Sequence, residues 1–170
     1  MNRTKIITFA AIMAALANIL SVTPFAIPIA IGPFPSKIHL AQLPIFIGGI
    51  LGGPWAGLLT GAVGGLYMSF TAIPFIVGGL GLLGFSAGIF ARRLKLRPFF
   101  SAVLAWCVQA PYVFATDYAW FVYIAKLMPP SVALATVTTI LIKLTVEAII
   151  ASALVEVLVP YIKRSGLTFQ

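Results

Sequence analysis

The sequence predicts an all-α membrane protein: a compact bundle of six transmembrane helices, one integral domain over residues 1–170, with the N- and C-termini in the cytoplasm. Three observations carry this. Of the residues, 61% are hydrophobic and only 8% are charged; a soluble domain has about a quarter charged residues, and so apolar a chain lacks the polar surface to cover a water-soluble globule. Apolar runs recur at the length needed to cross a hydrocarbon core ~30 Å thick at ~1.5 Å per residue. The basic residues, finally, favour alternate connections between those runs, which orients the spans.

The first span is placed at 5–22. Arg3 and Lys5 ahead of an apolar run look like the start of a signal peptide, but no small-residue cleavage site closes the run and further spans follow. Within it, "FAAIMAALA" (Phe9–Ala17) holds two adjacent four-spaced pairs, Ala10/Ala14 and Ala11/Ala15, between the bulky Phe9, Ile12, Met13 and Leu16. Residues four apart share a helix face, so these are two flat strips, suited either to packing inside the bundle or to docking on a separate protein. A proline-rich connection, "PFAIPIAIGPFPSK", leads to segments at 38–52 and 55–70, parted only by Gly53-Pro54. They read as two brief spans or as one re-entrant hairpin.

Gly53, Gly57, Gly61 and Gly65 recur every fourth residue, and Gly84 and Gly88 repeat the spacing in the fourth segment, 72–91. Such stripes admit close backbone approach, and internal packing is their expected use. The fifth and sixth segments, 99–120 and 132–161, are joined through Pro129-Pro130. With this layout Arg3, Lys5, Arg92, Arg93, Lys95, Arg97, Lys163 and Arg164 are cytoplasmic, while the outer loops hold only Lys37 and Lys126. That asymmetry follows the positive-inside rule. The net charge of +8 thus reports topology and gives no reason to expect a nucleic-acid partner.

Ionisable groups inside a span are functional candidates, because burying them unpaired costs several kcal/mol. Lys143 and Glu147 stand at i and i+4 in the sixth segment and pair along one face, as a structural pair or as a ligand contact. Counted from Lys163 at ~1.5 Å per residue, Glu147 lies ~24 Å and Lys143 ~30 Å from the inner boundary, in the outer half. Asn18, His39, Gln42, Gln109 and Asp117 fall at similar height, among Trp106, Tyr112, Tyr118, Trp120, Phe121 and Tyr123. Those rings read as an interfacial belt or as the walls of a cavity. A single Cys107 gives no disulfide or metal site and is expected in the core, and one histidine excludes bis-histidine haem.

At "IGPFPSKIHLAQLPIFIGGILGGPWAGLLTGAVGGL" (Ile31–Leu66), taken with the Ala11-x-x-x-Ala15-Leu16 ladder, six segments and a basic stretch after the fourth, the chain resembles the S components of energy-coupling factor (ECF) transporters. The resemblance implies a high-affinity substrate-binding subunit of an ATP-driven uptake system for a water-soluble vitamin, in a multi-pass cell-membrane setting. It implies as partners a transmembrane coupling subunit and two cytoplasmic ATPases, with the ligand site in the outer half and the first outer loop, Gly32–Lys37, as its lid. It assigns Ala11 and Ala15, with Ala10 and Ala14 beside them, to the coupling surface. Expected substrate contacts are Asn18, Lys37, His39, Gln109, Tyr112, Asp117, Trp120, Lys143 and Glu147.

"GGLGLLG" lacks the Gly-Lys-Ser/Thr ending of a P-loop, and HExxH is not present. An enzyme is therefore not expected, and no cofactor or metal; any ATP hydrolysis falls to partners. Outside the resemblance, the alternative is a free-standing small permease or channel that uses Lys143 and Glu147. Basic groups on the outer side favour an anionic or carbonyl-rich ligand and the rings a flat heteroaromatic such as a flavin or pterin, while Asp117 points toward an amine; the resemblance alone ranks a riboflavin-like ligand first.

Overall fold

A computed structural model describes residues 3–22, 26–31 and 34–165. The helices are α1 (Arg3–Leu20), α2 (Gln42–Gly52), α3 (Pro54–Gly64), α4 (Leu66–Thr71), α5 (Ile76–Arg92), α6 (Pro98–Ala119) and α7 (Pro130–Arg164). Helix α6 runs on into a wider π turn at Trp120–Ile124. Arg3–Leu20 and Pro98–Ile124 are long and apolar enough to cross a membrane. The expected segments therefore reappear as helices with shifted ends, and the third divides at Gly65 into α3 and α4.

One departure from an all-helical chain is an antiparallel hairpin, β1 (Ile27–Ile31) with β2 (Phe34–Ile38), paired from Ile27 with Ile38 to Ile31 with Phe34. It occupies most of the proline-rich connection. Proline cannot continue a helix and is tolerated at the edges of a two-stranded ribbon, where one side of each strand needs no partner. The expected start of the second span at residue 38 is corrected accordingly: Ile38 ends β2, and α2 begins at Gln42. Of the proposed lid, Gly32 and Pro33 lie outside the described residues.

Helix α2 has 11 residues, which at ~1.5 Å per residue is ~16 Å, about half a hydrocarbon core. It is buried along almost its whole length. Gly53 turns the chain out of it in the left-handed region, at φ 91°, and Pro54 starts α3 at its first position, where the missing N–H is no loss. The Arg92 guanidinium at the end of α5 donates to the carbonyl of Leu51 and caps α2 from outside.

The centre of the bundle is a seam of bare backbone. A Cβ on Gly57 would strike the carbonyl of Gly84, one on Gly84 the carbonyl of Gly57, and one on Gly61 the carbonyl of Leu80. Gly49 of α2 meets the same Gly84 carbonyl, and Gly88 abuts Gly53 and Pro54. Around this seam pack Ile45, Phe46, Leu51, Leu83, Ala87 and the inward face of α7 from Ala148 to Val159. Cys107, expected in the core, is exposed on α6, whose inward positions are taken by Ala102, Ala105 and Trp106.

The seam predicts different outcomes for neighbouring glycines. Gly84→Ala is expected to destabilise by about 1–3 kcal/mol, the usual penalty for overpacking, because backbone cannot move aside. Gly81→Ala should be nearly neutral, since its Cβ would meet chiefly the Leu58 Cδ1 at 3.2 Å, a side-chain end free to turn. Melting temperatures of the two variants in detergent check this contrast.

Candidate functional site

Beyond the seam, α5 parts from its neighbours and a cavity of about 860 Å³ opens between the β-hairpin, α4, α5, α6 and α7. Sites for small molecules span about 300–1,000 Å³. The glycine stripe itself leads there: a Cβ on Gly79 would lie 3.3 Å from the Gln109 Nε2 and from the Tyr112 ring. Where α5 touches backbone lower down, here it touches cavity-lining side chains.

Of the expected contacts, Lys37, His39, Gln109, Tyr112, Asp117, Trp120 and Lys143 line this cavity. Two do not. Asn18 is spent on structure: its amide nitrogen donates to the carbonyls of Ala14 and Val63, and its oxygen accepts from the Tyr67 N–H at 3.0 Å. Glu147 is 1% exposed and stands behind the wall. Its Oε1 accepts the His39 backbone N–H at 2.8 Å and lies 3.2 Å from the Lys143 Nζ. Glu147 thus fixes two neighbouring residues of the cavity wall, His39 and Lys143. The pair is structural through Glu147, while the Lys143 side chain reaches the lining.

The deep polar groups leave hydrogen-bonding capacity unused. The His39 Nδ1, Gln42 Oε1 and Gln109 Oε1, all buried, have no hydrogen-bond partner, and all three residues line the cavity. Buried polar atoms are ordinarily satisfied, so this cluster presents donors and acceptors to whatever fills the space. His39 lies in the connector ahead of α2, outside the helices; burial first, then the Lys143 ammonium, pushes its imidazole down to about 4, so it is neutral at physiological pH.

The rings divide between the two roles read for them. Tyr112, Trp120, Phe121 and Phe75 line the cavity; Tyr112 donates its hydroxyl to the Phe75 carbonyl at 3.2 Å, and Phe75 meets Trp120 edge to face at 6.1 Å. Tyr123 is exposed and touches Tyr118, which stacks on Phe114, as members of an outward belt do. Trp106 is not in the lining; its Nε1 donates to the Thr145 Oγ1 at 3.1 Å. Missing from the expected contacts are Gln42, Tyr67, Thr71 and Thr116. Gln42 had a visible signal, a lone amide in an apolar run, whereas the short α4 carried none.

The four alanines of α1 do not share a face. Ala10 and Ala14 are 2% and 1% exposed: the Ala10 carbonyl accepts from Thr60, and Ala14 sits against Gly64. Their expected place on an external surface is corrected, because α3 already covers them. Ala11 and Ala15 face outward beside the exposed Ile12 and Leu16.

A family model described as ECF-type riboflavin transporter, S component, matches residues 1–160. No curated protein and no solved structure matches the chain.

The Lys143–Glu147 geometry predicts a coupled stability effect. Glu147→Leu leaves a largely buried ammonium without its carboxylate and is expected to cost about 3–5 kcal/mol. Lys143→Met combined with Glu147→Leu should recover much of that loss. Denaturation of the three variants in detergent measures the coupling; a Glu147→Leu protein as stable as the parent would count against the pair.

Proposed function

The chain belongs to the family of ECF-type riboflavin transporter S components, and we propose from that premise that it captures riboflavin in the cavity beneath the β-hairpin for uptake into the cell. Members of this family are membrane-embedded, substrate-binding subunits of transporters, not enzymes. The family also implies association with an ECF module of a transmembrane component and ATPases. A free-standing permease is not favoured on that ground.

The observation that carries the riboflavin reading is the cavity itself: aromatic walls from Phe75, Tyr112 and Trp120 over a floor of His39, Gln42, Gln109 and Lys143. A flat heteroaromatic with a carbonyl- and imide-bearing edge matches both parts. The rings take its faces, and the ammonium and unused amide oxygens take its edge. The β-hairpin, with Lys37 at the cavity margin, acts as the cover. The bundle lies in a cell membrane with both termini in the cytoplasm, an arrangement supported by the cluster Arg92, Arg93, Lys95 and Arg97 and by Lys163 and Arg164.

Ala11 and Ala15 form the surface for the coupling subunit, as the exposed half of the alanine ladder. Small residues there let another helix approach to backbone distance. Two cytoplasmic ATPases supply the energy.

Two measurements test this. Titration of riboflavin against the purified protein should quench flavin fluorescence to a 1:1 endpoint; no saturable binding would sink the substrate assignment. Ala11→Trp with Ala15→Trp should abolish co-purification with the coupling subunit while riboflavin affinity stays within about twofold of the parent. Assembly that survives both substitutions would move the docking surface elsewhere.

A further inference from the structure

Asp117 lines the cavity at 6% exposure, yet neither the imide-reading floor nor the aromatic walls give it a task. Its height relative to Lys143 follows from how α6 and α7 pair. The Phe99 N–H donates to the Glu156 Oε2, the Trp106 Nε1 to the Thr145 Oγ1, and Phe121 packs with Ala133 and Val137. This antiparallel register sets Lys143 about level with Gln109. The eight residues from Gln109 to Asp117 then rise ~12 Å along the helix. Lys143 is already paired with Glu147, and among the described residues no ion pair reaches Asp117. A buried carboxylate without one is costly, and the open volume beside it is where a partner would arrive.

We propose that the cavity has two poles, and that Asp117 is a specificity-determining residue that accepts hydrogen bonds from a hydroxyl- or amine-bearing arm of the same ligand whose carbonyl edge lies at Lys143. The proposal rests on the cavity being the substrate site and adds the requirement for a donor-bearing arm about 12 Å from the cationic floor. For a flavin, that arm is the polyhydroxylated chain on the ring.

The test uses riboflavin and lumiflavin, which has the same ring system with a methyl group in place of the hydroxylated chain, titrated against the full chain. The parent should prefer riboflavin. Asp117→Ala should weaken riboflavin tenfold to a hundredfold, the range for a hydrogen bond to a charged group, and leave lumiflavin within about twofold, so that the preference collapses. Asp117→Asn, nearly the same size and still an acceptor, should keep part of it and guards against loss of fold. Equal losses for both flavins in Asp117→Asn, or no loss in Asp117→Ala, would overturn the proposal. If the parent binds neither flavin, the riboflavin assignment fails and this one is judged on the small molecule retained from cells, identified by mass spectrometry. A retained molecule with a hydroxyl or amine donor that Asp117→Ala no longer holds supports it; one without such donors, or one held equally well, overturns it.

Discussion

Contact between bare backbones at Gly57 and Gly84 is the constraint on which the rest of this structure depends. Each residue's missing Cβ is the space taken by the other's carbonyl, and Gly49 from α2 closes on the same point. Lipid supplies little hydrophobic drive for helices to associate, so packing at this distance contributes directly to cohesion. Three helices thereby occupy very little width. Along α5 the contacts change from backbone at Gly88 and Gly84 to side chains at Gly79. The bundle is tight at one end and wide at the other, and the cavity is the wide end.

Polar groups complete what the seam begins. The chain has three acidic residues, and two of them hold backbone N–H groups where other helices start. Glu147 takes His39 ahead of α2, and Glu156 takes Phe99 in the first turn of α6. Both project from α7, whose 35 residues make it a mast of ~52 Å. Buried ion pairs contribute little net stability against well-packed apolar residues, so the value of Glu147 lies in position. It sets His39 and Lys143 on adjoining walls at one height. Asp117, the third acid, holds no such backbone group and is left for the cavity.

Much of this was legible in the sequence. Apolar length and breakers locate the helices, four-spaced glycines mark the seam, and most of the polar residues named for the outer half line one cavity, although Asp117 stands ~12 Å along α6 from Gln109 rather than at its height. What was not legible has identifiable causes. Proline at positions 28, 33 and 35 masks the alternation by which a hairpin is recognised. Four-residue spacing pairs Ala10 with Ala14 and Ala11 with Ala15 but is silent on which pair faces inward; that is decided by Thr60 and Gly64 on a helix fifty residues away. Asn18 shows the same limit. An amide at cavity height serves a ligand or a neighbouring backbone according to contacts that no local pattern carries, and here the Val63 carbonyl and the Tyr67 N–H claim it.

Helix α1 therefore has two unlike faces, and their separation has a mechanical consequence. Its inner face is fastened to α3 and α4 through Ala10, Ala14 and Asn18, and Tyr67, held by Asn18, lines the cavity. Its outer face, with Ala11 and Ala15, is open. Proximity alone does not make coupling; that requires an element with two arrangements which both sites bias. Yet any partner that displaces α1 must either carry α4 with it or break the Asn18 hydrogen bonds, because Ala17 lies so close to Gly64 that a Cβ there would come within 2.8 Å of it. The rigid inner face is what would turn an event on the outer face into a change in the lining, and the hydrogen bond from the Tyr67 N–H to Asn18 is where that change would first be felt.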